Sequence, residues 1–153
     1  MLRRVNLRVN LVILLGLVVV LVLSFGVPVS ARAAGSAKAA IAIGEKELGQ
    51  PYKKATDGPK TFSCTGLMRH ILREAGVDSD APWVATDYLA RYERVKPDKM
   101  KPGDILVYPG DYAAMYAGNN TVLNSNSVAG EVTYTDMGYL GKPLGVARPP
   151  YTR

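Results

Sequence analysis

Between Lys101 and Asn124 the chain alternates very short apolar runs with turn residues, and this pattern limits the fold more than any other feature. Lys101-Pro102-Gly103-Asp104, Pro109-Gly110-Asp111 and Gly118-Asn119-Asn120 bracket Ile105–Tyr108, Tyr112–Ala117 and Thr121–Asn124. Runs so short and so close together predict an antiparallel meander joined by tight turns. Val132–Tyr134 and Gly145–Ala147 are weaker strand candidates. Upstream the period changes. Ala39, Ala42 and Ile43 recur at helical spacing, which predicts a helix over Lys38–Leu48, stopped by Gly49 and Pro51. Leu67, Ile71 and Leu72 predict a second helix over Thr65–Ala75, with Gly76 as its stop. A short third helix is expected from Thr86 or Asp87 through Tyr92. Helices first and strands second predict an α+β fold, with N-terminal helices packed on a small antiparallel sheet.

Not all 153 residues belong to that fold. Arg3, Arg4 and Arg8 precede an uncharged apolar run, Leu11–Val27, followed by Ser30-Ala31-Arg32-Ala33-Ala34. A basic head, an apolar middle and small residues form the pattern of a secretory signal, with cleavage expected after Ala31 or Ala33. The run falls just short of the roughly 20 residues that span a bilayer, so an uncleaved membrane anchor is the alternative. Either way the arginines stay cytoplasmic and the remainder is expected outside the cytoplasmic membrane, secreted or envelope-associated. The expected division is a leader over residues 1–34 and one domain over residues 35–153.

The formal charge of +6 divides unevenly. Three of the 19 basic residues precede Leu11 and all 13 acidic residues follow it, which leaves an excess of about +3 outside. No basic cluster with interleaved aromatics accompanies that excess, so no nucleic-acid partner is expected. A mild positive balance suits an anionic cell wall or a solvated mixed surface equally.

The chain has one cysteine, Cys64, and one histidine, His70. A lone thiol in an exported chain is either a small buried residue or a reactive group. Cys64 stands in Thr61-Phe62-Ser63-Cys64-Thr65-Gly66-Leu67, where a turn enters a helix. Unpaired N–H groups and the helix dipole at that point are expected to stabilise a thiolate and lower its pKa. Acyl transfer by cysteine also needs a base. Six positions along a helix advance about 9 Å and rotate about 600°, so His70 points away from Cys64 and reads as a structural histidine. One cysteine and one histidine make a poor zinc set, and no glycine-rich phosphate loop occurs. No metal or other cofactor is expected.

Five stretches in order resemble the NlpC/P60 family of papain-like cell-wall peptidases. They are Leu48–Tyr52; Gly58-Pro59 with Phe62–Leu67; Met100–Tyr108; Ala113–Asn119; and Val146–Arg148. The likeness covers roughly Lys38 to Arg148. It implies that Cys64 holds the nucleophile position and that Tyr52 lines the substrate cleft. Aligning Tyr116 and Gly118 with the family strand places Tyr112 where the family carries its catalytic histidine. Asn124 falls at the third position, which orients that histidine. Ser63 replaces the acid that helps the family recognise the free amino end of a wall peptide. The family reaction implied is hydrolysis of peptidoglycan stem peptides: Cys64 attacks a carbonyl, a thioester forms, and water clears it.

Tyrosine, with a pKa near 10, is a poor base at neutral pH. The leading expectation is therefore an exported, catalytically impaired domain that binds a stem peptide or an envelope protein. The second is an active peptidase, amidase or acyltransferase with a non-standard base, through Tyr112 or a displaced His70. The third is an exported structural or interaction domain with Cys64 buried.

Overall fold

The computed structural model describes residues 35–152. The leader expected over residues 1–34 lies outside them. Among the described residues no helix is long and apolar enough to cross a membrane.

Three helices, α1 (Ala37–Lys46), α2 (Cys64–Glu74) and α3 (Ala85–Arg91), precede all six strands of the sheet. The strands are β1 (Glu93–Val95), β2 (Ile105–Tyr108), β3 (Tyr112–Gly118), β4 (Thr121–Asn126), β5 (Glu131–Asp136) and β6 (Gly145–Arg148). They form one sheet in the order β1-β6-β2-β3-β4-β5, with every neighbouring pair antiparallel. This is the α+β architecture expected from the order of periodicities.

α1 and α2 start where the local sequence places a cap. Ser36 Oγ accepts from Ala39 N at 3.1 Å and Ser63 Oγ accepts from Gly66 N at 3.1 Å, each satisfying an N–H that the first turn leaves free. The β3–β4 hairpin turns through Asn119 (φ 49°) and Asn120 (φ 58°). Asparagine tolerates the positive φ that a two-residue turn requires at both positions.

The sheet is covered on both faces. Ile105, Val107, Ala113, Met115 and Leu123 face α1, α2 and α3 and join one apolar core with Leu67, Met68, Ile71 and Tyr88. Leu106, Tyr108, Ala114, Val122 and Val146 point the other way into a second cluster. Complete burial of β2 explains why Ile105–Tyr108 reads as a continuous apolar run rather than an alternation.

The bounds of the expected helices and strands shift by one or two residues, with α1 ending at Lys46 rather than Leu48 and α2 beginning at Cys64 rather than Thr65, and two further details differ from the sequence reading. α3 spans Ala85–Arg91, and Tyr92 is already extended (φ −112°, ψ 167°). β1 was not expected at all. It is a three-residue edge strand whose Glu93 and Arg94 are exposed, so it lacks the apolar signal by which a strand is recognised, and its partner β6 lies far along the chain.

A bidentate ion pair ties the end of β6 to the residue just before β2. Arg148 on β6 donates through Nε to Asp104 Oδ1 at 2.8 Å and through Nη2 to Asp104 Oδ2 at 2.7 Å. Asp104 Oδ2 also accepts from Lys101 N at 2.8 Å. The aspartate is 1% exposed, so both oxygens need these donors.

Candidate active site

Cys64 is the first residue of α2, and the loop before it is held tightly. The Thr56 carbonyl accepts from Ser63 N at 2.8 Å and from Ser63 Oγ at 3.1 Å. The same carbonyl oxygen passes so close to the helix that a Cβ on Gly66 would lie 1.9 Å from it. Only glycine at position 66 permits that approach. The Ser63 hydroxyl is thus committed to the Thr56 carbonyl and the Gly66 amide. Ser63 is buried, and as placed its side chain is a structural cap rather than a free recognition group.

The thiol is half-buried. Cys64 Sγ donates to the Asp111 carbonyl at 3.6 Å, across from the start of β3. The expectation of a lowered thiol pKa is overturned. Burial pushes the Cys64 thiol up, and this outweighs the backbone N–H groups of Ala113, Thr65 and Cys64 that favour the thiolate. The Asp111 carboxylate adds to the rise. The helix start acts as expected, but among the described residues no cation reinforces it. Alkylation of Cys64 by iodoacetamide is therefore expected to be slower at pH 7 than that of free cysteine. Its rate should still be climbing at a pH where free cysteine has levelled off. A plateau below pH 8 would contradict this assignment.

Tyr112 opens β3, one residue beyond the carbonyl that meets the thiol. Its hydroxyl is buried with no hydrogen-bond partner among the described residues. Burial raises its pKa well above the ordinary phenol value, and negative charge on neighbouring Cys64, Tyr108 or Tyr52 would push it the same way. Tyr52, half-buried, belongs to the same cluster, and its backbone N–H donates to the Gly130 carbonyl at 2.8 Å. Tyr108 packs edge-on against Tyr112, ring centroids 5.9 Å apart.

Asn124 is fully buried. The β3–β4 register pairs Met115 with Leu123; one residue on, Asn124 lies across from Ala114, on the sheet face that Tyr112 shares. Its Oδ1 accepts from Thr135 Oγ1 at 3.4 Å, and its Nδ2 has no partner among the described residues. Cys64, Tyr112 and Tyr52 are thus brought together, with Asn124 on the Tyr112 face. His70 is not. Its Nε2 lies 3.2 Å from Glu47 Oε1 and its ring stands 5.0 Å from Phe62, so it ties α2 to the end of α1.

Asp111 escaped the sequence reading, which treated Pro109-Gly110-Asp111 as a turn only. Its backbone is left-handed (φ 59°). Its Oδ1 accepts from Ala85 N at 2.6 Å, which caps α3 from outside the helix. Through that bond the β2–β3 turn is held in front of the thiol. Tyr108 was likewise read only as strand. Among the described residues no group of three or more His, Cys, Asp or Glu side chains is arranged to hold a metal ion.

A half-buried cysteine at the head of a helix, packed on an antiparallel sheet, defines the papain-like cysteine-peptidase fold. The sequence profile of the NlpC/P60 family matches residues 49–144, and the chain belongs to that family. The probable endopeptidase p60 of Listeria monocytogenes is 31% identical over 91 residues, covering 56% of this chain and 18% of that protein. The peptidoglycan endopeptidase RipB of Mycobacterium tuberculosis is 31% identical over 110 residues, 69% of this chain and 45% of that protein. The chain therefore spans less than half the length of either relative. The solved structure of RipB superposes with a TM-score of 0.67 at 25% identity, over 78% of this chain and 67% of that one. The P60 domain of antigen MAP1204 from M. avium subspecies paratuberculosis gives 0.63 at 27% identity, over 73% of this chain and 93% of that domain.

Proposed function

We propose that this domain is an exported, wall-associated NlpC/P60 domain that binds a peptidoglycan stem peptide and turns it over little or not at all. The observation that carries this reading is the surroundings of the thiol. The side chains clustered there are phenols and one carboxylate, and the phenol nearest the thiol's carbonyl contact has a raised pKa. If Tyr112 stands at the family's histidine position, no group near Cys64 takes up a proton at neutral pH and returns it to the leaving amine. A positioned acid–base group contributes about 10²- to 10⁴-fold to such reactions. The contacts of His70 with Glu47 and Phe62 weigh against a displaced histidine. The half-exposed thiol weighs against a purely structural domain.

The ligand class follows from the relatives named as p60 and peptidoglycan endopeptidases. Tyr52 lines the peptide side of the thiol in this reading, and Ser63 no longer offers a carboxylate to a peptide amino end. Export rests on the basic and apolar N-terminal pattern. The test is incubation of the full chain with purified peptidoglycan. Protein is expected to sediment with the insoluble wall without releasing peptide fragments detectable by mass spectrometry, and Tyr52→Ala is expected to reduce sedimentation. Fragment release that disappears in Cys64→Ser would overturn the proposal.

A further inference from the structure

Beyond the thiol, on the sheet face turned away from the helices, Tyr112 shares a second space. A groove of about 790 Å³ is lined by Tyr108, Tyr112, Asn126, Ser127, Thr135 and Tyr139 among others. That volume is ordinary for a small-ligand site. Cys64 and Tyr52 do not line it, and no charged side chain does.

We propose that this groove is a saccharide site that takes an uncharged pyranose unit of a glycan.

Three features select that chemistry. The first is the hydroxyls. Tyr108 is only 3% exposed, yet its hydroxyl, like that of Tyr112, has no hydrogen-bond partner among the described residues. Buried polar groups are normally paired, so two unpaired phenols in one wall point to a ligand that pairs them. Tyr108 is pushed up to about 12 by burial, which keeps it a neutral hydroxyl. A phenol both donates and accepts, and so does a sugar hydroxyl. A carboxylate only accepts, so it would use half of that capacity and meet no cation in the lining.

The second feature is the amide. Asn126 Oδ1 accepts from Val128 N at 2.8 Å and from Ala129 N at 3.2 Å. These bonds fix the side chain and leave its Nδ2 as a donor. The third is the platform. Tyr139, on the short turn after β5, is 87% exposed. An exposed aromatic face beside fixed neutral donors suits a pyranose, which carries an apolar C–H face and a rim of hydroxyls. A stem peptide carries carboxylates and an amine, for which the lining offers no side chain of opposite charge.

The site needs no assumption about turnover at Cys64. Its relation to the thiol does rest on the reading above. Tyr112 belongs to both walls, so a glycan and a peptide attached to it would occupy adjoining surfaces.

The test is calorimetric titration of the full chain with two probes: the uncharged β-1,4-linked N-acetylglucosamine tetramer and a free stem peptide. Saturable binding of the tetramer is expected. Tyr139→Ala should weaken it by about tenfold or more, equivalent to about 1.4 kcal/mol. Tyr108→Phe should weaken it severalfold while leaving the melting temperature unchanged or higher, because it removes an unpaired buried hydroxyl. Tyr52→Ala should lower peptide binding and leave the tetramer untouched, which separates failure of the peptide reading from failure of this one. Absence of saturable tetramer binding would overturn the proposal. So would tetramer binding indifferent to Tyr139→Ala and Tyr108→Phe. Stem-peptide binding that depends on Tyr139 without tetramer binding would assign the groove to peptide instead.

Discussion

Tyr112→His is expected to raise peptidoglycan hydrolysis by about 10²- to 10⁴-fold over the parent chain, the range a positioned acid–base group supplies, and Cys64→Ser should abolish the gain. The expectation follows from what surrounds the thiol and rests on the proposed equivalence of Tyr112 with the family histidine. Tyr112 begins β3 one residue after the carbonyl that Cys64 contacts. An imidazole is smaller than the phenol it would replace and has a pKa near 6.5. As an imidazolium it would favour the thiolate, so the pH dependence of Cys64 alkylation should move downward together with the gain in turnover. Asn124 lies on the same face with an unpaired amide nitrogen, and rotation of that amide would offer its oxygen to the new ring. A folded Tyr112→His variant with an unchanged alkylation profile and no fragment release would remove Tyr112 from the base position.

The second large effect concerns stability. Arg148→Met is expected to lower it by about 3 kcal/mol, the lower end of the range for breaking a buried ion pair by removing one partner. The lower end applies because the arginine side chain is 26% exposed while that of Asp104 is 2% exposed. Truncation leaves the carboxylate buried with only the Lys101 amide as donor. The Arg148 contact with the Lys99 carbonyl at 3.0 Å is lost as well. For a domain of this size the melting temperature should fall by on the order of 10 °C. Urea unfolding of Arg148→Met and of the double variant Asp104→Leu/Arg148→Met checks the cause. The double variant should recover much of the loss, because no unpaired charge remains. A loss below about 1 kcal/mol in the single variant would mean that the pair contributes no more than an exposed one.

Residues whose role is local were legible in the sequence. Asn119 and Asn120 announced a tight hairpin, Leu67, Ile71 and Leu72 announced α2, and the uninterrupted Ile105–Tyr108 announced a strand; the cap that Ser63 supplies and the burial of that strand on both faces appear only in the fold. Glu93 and Arg94 announced nothing, because an exposed edge strand carries no apolar period and pairs with a segment distant in sequence. The site divided along the same line. The position of Cys64 at a helix head could be read from its neighbours. The direction of its pKa shift could not, because desolvation depends on what β3 brings over the thiol. Asp111 was hidden for the same reason. A Pro-Gly-Asp turn says nothing about the helix whose first N–H its carboxylate will meet, and Ala85 belongs to another element.

The strand order bears on how such a domain is assembled as its chain emerges. β6, the last strand, lies between β1 and β2, so until residues 145–148 arrive the sheet exists as two unjoined parts. The Arg148–Asp104 pair closes at the same moment. Contacts between segments so far apart in sequence form late, after a large loss of chain entropy. The β2–β5 meander can pair by itself, so it is the docking of β1 onto the rest of the sheet that waits for β6, and the guanidinium of Arg148 then bolts the two parts together.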